Sequence, residues 1–224
     1  MHSWNISARE AIAMQKQLAA QVICTGMPEK IDIIAGVDLA YDKKSELGFC
    51  SIILFSFPDL SVIESAFCHD RVTFPYIPGL LTFREGPLFL KTFETLDRRP
   101  DLILFDGQGR AHPRGLGIAS HMGLVLNVPT IGCAKSKLFG EYRQPCSEKG
   151  SRSILTDKEG NRIGTVLRTR DGVKPVFVSP GHLTGVDESA DIVMRCVVKY
   201  RIPEPIRAAH NSVGNYKRSI LEKR

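Results

Sequence analysis

Three strand-like runs follow one another almost without pause: Ile31 to Leu39, Gly48 to Phe57 and Ser61 to Cys68. Only short turns part them, at Asp42-Lys43-Lys44 and Pro58-Asp59. Parallel neighbours need a crossover of a dozen residues or more, so this spacing favours an antiparallel meander. The pattern then changes. Leu102 to Phe105 reads as a short buried strand, Gly107 to Gly117 as a glycine-rich loop, Ile118 to Leu126 as a helix and Thr130 to Cys133 as a strand. Strand, helix, strand implies a parallel pair with a right-handed crossover. A meander feeding parallel strands is a mixed α/β sheet flanked by helices, and one such domain over residues 1–224 is the economical expectation.

The remaining elements fit around that sheet. Ser7-Ala8-Arg9-Glu10 forms a capping box, with Ala11, Met14, Leu18 and Val22 at helical spacing behind it and Gly26 and Pro28 as its stop. Thr73 to Gly79 is a Pro-containing aromatic loop, and Pro87 to Leu96 reads as a helix with Pro87 in its first turn. Strands at Arg162 to Arg168 and Val176 to Ser179, a helix from about Ser189 to Tyr200 and another after Pro205 follow.

Composition removes several classes of function. No apolar run approaches a membrane span, and Arg9, Glu10, Gln15, Lys16 and Gln17 interrupt any secretory core near the N-terminus. The six cysteines are scattered without a C-x-x-C pair, so neither a zinc site nor a disulfide knot is indicated. A cytoplasmic globular protein is expected. Its net charge of +6 suits a polyanionic partner.

Chemistry concentrates at strand ends. Asp38 follows the apolar run from Ile31, and Asp106 follows Leu102 to Phe105. In open α/β sheets ligands sit at that edge, and two converging carboxylates would bind a hard divalent ion such as Mg²⁺. Each Asp alone is more often a turn or cap residue, and only the two together favour a metal site. Glu85 would complete an acidic cluster, although Thr82-Phe83-Arg84-Glu85 also spells a capping box. Lys135, behind Ile131 to Ala134, could neutralise a reacting phosphate or simply be solvated. His210 lies on the final helical stretch, where a lone histidine is commonly structural. The stretch Asp106 to His112 invites a dinucleotide-binding reading but lacks the third glycine, since His112 stands in its place.

Taken in order, Pro75-Tyr76-Ile77-Pro78-Gly79, Arg84-Glu85-Gly86-Pro87, Asp106-Gly107-Gln108-Gly109 with His112-Pro113-Arg114, and Gly132-Cys133-Ala134-Lys135-Ser136 resemble endonuclease V. This is a family of DNA-repair nucleases of ribonuclease H-like fold, acting at deaminated purines. The resemblance runs from about Ile31 to His210. It implies Asp38, Glu85 and Asp106 as ligands of Mg²⁺, with Mn²⁺ able to substitute, Lys135 facing the scissile phosphate and His210 near the metal or attacking water. Tyr76, framed by Pro75, Ile77 and Pro78, resembles the wedge that fills the helix when the damaged base leaves. Gly79, Gly109 and His112 would line the pocket for that base. A base must leave the stack before its Watson–Crick edge can be inspected, and an aromatic wedge compensates lost stacking by about 1–3 kcal/mol. The resemblance further implies a monomer that cuts the second phosphodiester bond 3′ to deoxyinosine and leaves the lesion in place. Inosine-containing RNA is the alternative substrate, and a non-catalytic lesion binder the remaining alternative. Gly181-His182 also resembles a family segment. The first helix and the basic tail from Lys217 carry little of the match.

Overall fold

The computed structural model describes residues 2–223. Strands β1 (Ile33–Asp42), β2 (Leu47–Ser56) and β3 (Val62–Arg71) form the expected antiparallel meander. β4 (Leu102–Phe105) and β5 (Thr130–Ala134) add to β1 in parallel, joined across α3 (Ile118–Leu126). The sheet then turns antiparallel again through β9 (Val176–Pro180), β8 (Arg162–Leu167), β7 (Arg152–Thr156) and β6 (Glu141–Tyr142). Its order is β3-β2-β1-β4-β5-β9-β8-β7-β6. This is the mixed sheet of a ribonuclease H-like chain, extended at one side by the second meander.

Alternation along the strands builds a core on each face. Ala35, Val37, Ile52, Leu54, Ile103 and Phe105 point to one side, where α2 (Leu81–Glu94) and α3 bring Leu88, Phe89, Phe93 and Met122. Ile34, Ile53, Phe55, Leu102 and Leu104 point to the other. There α4 (Val186–Arg195) and α5 (Glu204–Leu221) supply Ile192, Val193, Ile206 and Ala209. Gly36 lies on the α5 face, where a Cβ would stand 2.0 Å from the Pro205 carbonyl oxygen. Only a glycine lets α5 close onto β1 this tightly.

Four local expectations are corrected. The first helix, α1 (Ala8–Ala19), has its capping box, with Ser7 accepting from the Glu10 amide, but it ends before Val22. The following chain instead hydrogen-bonds to the segment after β9: the Leu183 amide donates to the Ile23 carbonyl and the Gly185 amide to that of Gly26. α2 begins six residues ahead of Pro87, which sits inside the helix. An internal proline costs about 3 kcal/mol. Each large side chain buried by that helix, Phe83, Leu88, Phe89 and Phe93 among them, returns about 1.5–3 kcal/mol, so burial wins. The Thr82–Glu85 capping box does not form either, since the cap is Leu80 with no side-chain bond. Finally, α4 starts at Val186 and stops at Arg195, short of Tyr200. Strands β6 and β7 add to those expected. β7 buries only Leu155, too little apolar pattern to mark a strand.

Candidate active site

The register of β1 explains how the acids meet. Its last parallel pair with β4 is Val37 with Phe105, but β1 continues along β2 as far as Asp42. Asp38 is therefore mid-strand rather than terminal, at the point where β1 outruns β4. The Asp106 amide donates to the Val37 carbonyl at 3.4 Å, so the two acids leave adjacent backbone positions. Asp38 points to the α5 face, where His210 Nδ1 donates to its Oδ2 at 2.7 Å. Lys135, one residue beyond β5, donates from Nζ to Asp106 Oδ2 at 2.5 Å. Ligand atoms of Asp38, Asp106 and His210 lie within 4.8 Å of one another.

Burial and then the Asp106 charge hold the Asp38 carboxyl above its usual range. Glu85, released from any capping duty, approaches from α2 on the opposite face. Loss of hydration, ahead of the Asp38 charge, pushes its carboxyl up to about 8. Carboxylates crowded in this way are what a divalent cation relieves. Glu85, expected as the third ligand, lies outside the set whose ligand atoms fall within 4.8 Å of one another; the two carboxylates of that set suit Mg²⁺, which favours oxygen ligands and retains part of its water.

Beside these acids opens a cavity of about 390 Å³, within the range of ligand pockets. Tyr76, Ile77, Pro78, Gly79 and His112 line one side, and Asp106 and Lys135 the other. Tyr76 is 71% exposed at the lip, with its ring in solvent. His112 is buried, and desolvation, reinforced by Arg114, depresses its ring to about 4, so it is neutral. Pro75, of the frame around Tyr76, borders a neighbouring cleft with Tyr41 and Arg84. One residue expected in the pocket lies elsewhere. Gly109 is absent from the cavity lining, and its amide already donates to Ser179 Oγ at 2.9 Å. His182 is structural: its amide donates to Thr130 Oγ1, and its ring accepts from the Ile23 amide. Gln108 and Lys137 join the lining without having been singled out. Gln108 donates to the Ser136 carbonyl at 3.1 Å, tying the glycine-rich loop to the Lys135 segment.

Known proteins share this sequence and fold closely. A chain from Kosmotoga olearia named endonuclease V is 48% identical over 210 residues, covering 94% of this chain and 92% of that one. The crystal structure of endonuclease V from Streptomyces avermitilis superposes with a TM-score of 0.92 at 36% identity, covering 98% and 96% of the two chains. Ciona intestinalis endonuclease V, crystallised with a 24mer DNA containing an inosine followed by a ribo-adenosine, gives 0.84 at 26% identity over 95% and 98%. The endonuclease V family model itself matches residues 16–211. By sequence and by fold, this chain belongs to the endonuclease V family.

Proposed function

We propose that the chain is a Mg²⁺-dependent endonuclease that takes inosine out of a DNA duplex and hydrolyses the second phosphodiester bond on its 3′ side. The observation that carries this reading is the convergence of Asp38, Asp106, Lys135 and His210 beside a cavity whose lip is an exposed tyrosine. Asp38, Asp106 and Glu85 would hold the ion. When bound, Mg²⁺ lowers the pKa of a coordinated water and offsets charge on the phosphate.

The chain's own groups do the rest. Asp106 aims the Lys135 ammonium, which would meet a non-bridging phosphate oxygen. Asp38 takes the Nδ1 proton of His210 in a hydrogen bond, leaving Nε2 free to accept a proton from the attacking water. Water oxygen bonds to phosphorus as the bond to the 3′ oxygen breaks, giving 3′-hydroxyl and 5′-phosphate ends. Tyr76 would occupy the space left in the stack. A pocket with a donor at the position of the purine 6-substituent would accept the hypoxanthine carbonyl and reject the adenine amine. Such a protein would work as a monomer on DNA inside the cell. A second reading, action at inosine in RNA, draws support from the ribo-adenosine in the Ciona intestinalis complexes.

The test is an end-labelled duplex with one inosine, its undamaged twin and an RNA version, each with and without Mg²⁺. A single Mg²⁺-dependent nick 3′ of inosine in the DNA is expected. Cutting only the RNA would select the second reading, and binding without a nick in either would overturn the catalytic one.

A further inference from the structure

The Gly79 carbonyl, at the inner end of the Tyr76 loop, accepts from three side chains at once. Arg114 Nη2 lies 2.6 Å away, Gln15 Nε2 2.9 Å and His112 Nε2 3.1 Å. A carbonyl oxygen offers two lone pairs, so three donors saturate it beyond what satisfying one buried group requires. The donors are themselves fixed. Gln15 Oε1 accepts from Arg114 Nε at 2.5 Å, and Gln15 Nε2 also reaches the Leu116 carbonyl at 3.2 Å. His112 Nδ1 accepts the Arg114 amide at 3.2 Å, which leaves its proton on Nε2, facing Gly79. Gly79 has φ +79°, and a Cβ there would lie 2.6 Å from Arg114 Nη2, so the clamp closes on a residue that must be glycine.

Gln15 is the unexpected member. It lies on the inner face of α1, only 1% exposed, where an amide is costly unless bonded. It also lies one residue ahead of the stretch matched by the family model. Tyr76 is thus carried on a loop pinned at both ends. Arg84 Nη1 holds the Phe74 carbonyl at 2.6 Å on one side, and the clamp holds Gly79 on the other. A loop fixed in this way loses little freedom on binding.

We propose that Gln15, acting with Arg114, is a positioning residue for lesion recognition: through the Gly79 carbonyl it sets the pose of the Tyr76 loop and of the pocket wall. The assignment rests on the proposed function for its meaning in catalysis. Its structural part stands independently.

The full chain with Gln15→Met keeps the side-chain length and removes every hydrogen bond. Arg114→Lys keeps the charge and removes the fork, and serves if the first variant fails to fold. Two readouts separate the claims. Hydrogen exchange at the amides of Tyr76, Ile77, Gly79 and Leu80 should rise about tenfold in either variant, the effect of losing bonds to a charged donor. On the inosine duplex, KM should rise and preference over the undamaged twin should fall, each about tenfold, with kcat at saturation within twofold. Unchanged exchange in both variants overturns the clamp. Raised exchange with wild-type selectivity, or an equal loss of kcat on both duplexes, reduces the clamp to fold maintenance and overturns the positioning role. If the unaltered protein makes no nick, the proposed function falls, while exchange still decides the clamp.

Discussion

Gly36→Ala is the sharpest single test of how the fold delivers its chemistry. The added methyl would meet the Pro205 carbonyl at 2.0 Å. Ordinary carbon–oxygen contact needs at least 3.4 Å or so, so the start of α5 must retreat by roughly 1.4 Å or β1 must yield. His210 lies in the same helix, five residues on. If half of that retreat reaches it, the 2.7 Å bond to Asp38 stretches to about 3.4 Å, where little of it survives. Overpacking of this kind costs about 1–3 kcal/mol, which for a chain of this size lowers Tm by about 2–12 °C. Displacing a reacting group by about 1 Å costs on the order of 100-fold in rate. The assay pairs thermal melting with single-turnover nicking, in the wild-type and His210→Ala backgrounds. If the rate loss runs through His210, it should vanish in the second background while the loss of Tm persists. A Gly36→Ala protein that melts and nicks like wild type, or that loses as much rate without His210, refutes the reasoning.

Other outcomes follow from the same geometry. Asp106→Ala should abolish nicking while leaving DNA binding equal or tighter, since it removes the proposed metal ligand and a negative charge together; near-normal turnover in Mg²⁺ would contradict the assignment. Tyr76→Ala should weaken lesion binding or discrimination, with about 1–3 kcal/mol of stacking at stake, and leave the metal affinity of the free protein unchanged; intact selectivity in a gel-shift competition would dismiss the wedge. His121 is fully buried against His2, and burial holds its ring down to about 3. The unfolded chain therefore takes up that proton first, near pH 6.5, and stability drains away as pH falls from 6.5 towards 3 by about 1.4 kcal/mol per pH unit. Glu85, raised to about 8, works in the opposite direction between pH 8 and 4.5. The informative quantity is therefore the difference between wild type and His121→Phe in urea midpoints across pH 4–7. The variant should lose stability less steeply on acidification, by one proton, and identical slopes would be inconsistent with a neutral buried ring.

Most of the sheet was legible because its strands are apolar runs parted by turn signals, and α3 because it is a short apolar helix following a glycine-rich loop; β6 and β7 carry too little apolar pattern to be seen. Where expectations slipped, a local rule lost to packing. Pro87 pointed to a helix start, but the aromatic side chains on either side of it gain more by being buried in one continuous helix. Asp38 looked terminal because the apolar run stops near it, whereas the hydrogen bonding to β2 that carries β1 onward depends on a partner strand. Asp38, Asp106 and Lys135 drew notice as charged groups behind apolar strands, whereas Tyr76 drew it only through the resemblance of its loop to the family. Gln15 could not be read as functional, because its target is a main-chain oxygen 64 residues away. Its only trace was an amide four residues after Ala11 on an apolar helical face.

The seating of α5 on β1 also sets a clock. During synthesis, at about 5–20 residues per second, His210 appears about 100 residues after Asp106, and thus several seconds later. Until it does, Asp38 has no histidine partner and the sheet face beneath α5 has no cover. On the proposed mechanism, a chain still attached to the ribosome, in close company with messenger RNA, has its acids but lacks the histidine that would take a proton from water, and cutting would wait for that helix to dock.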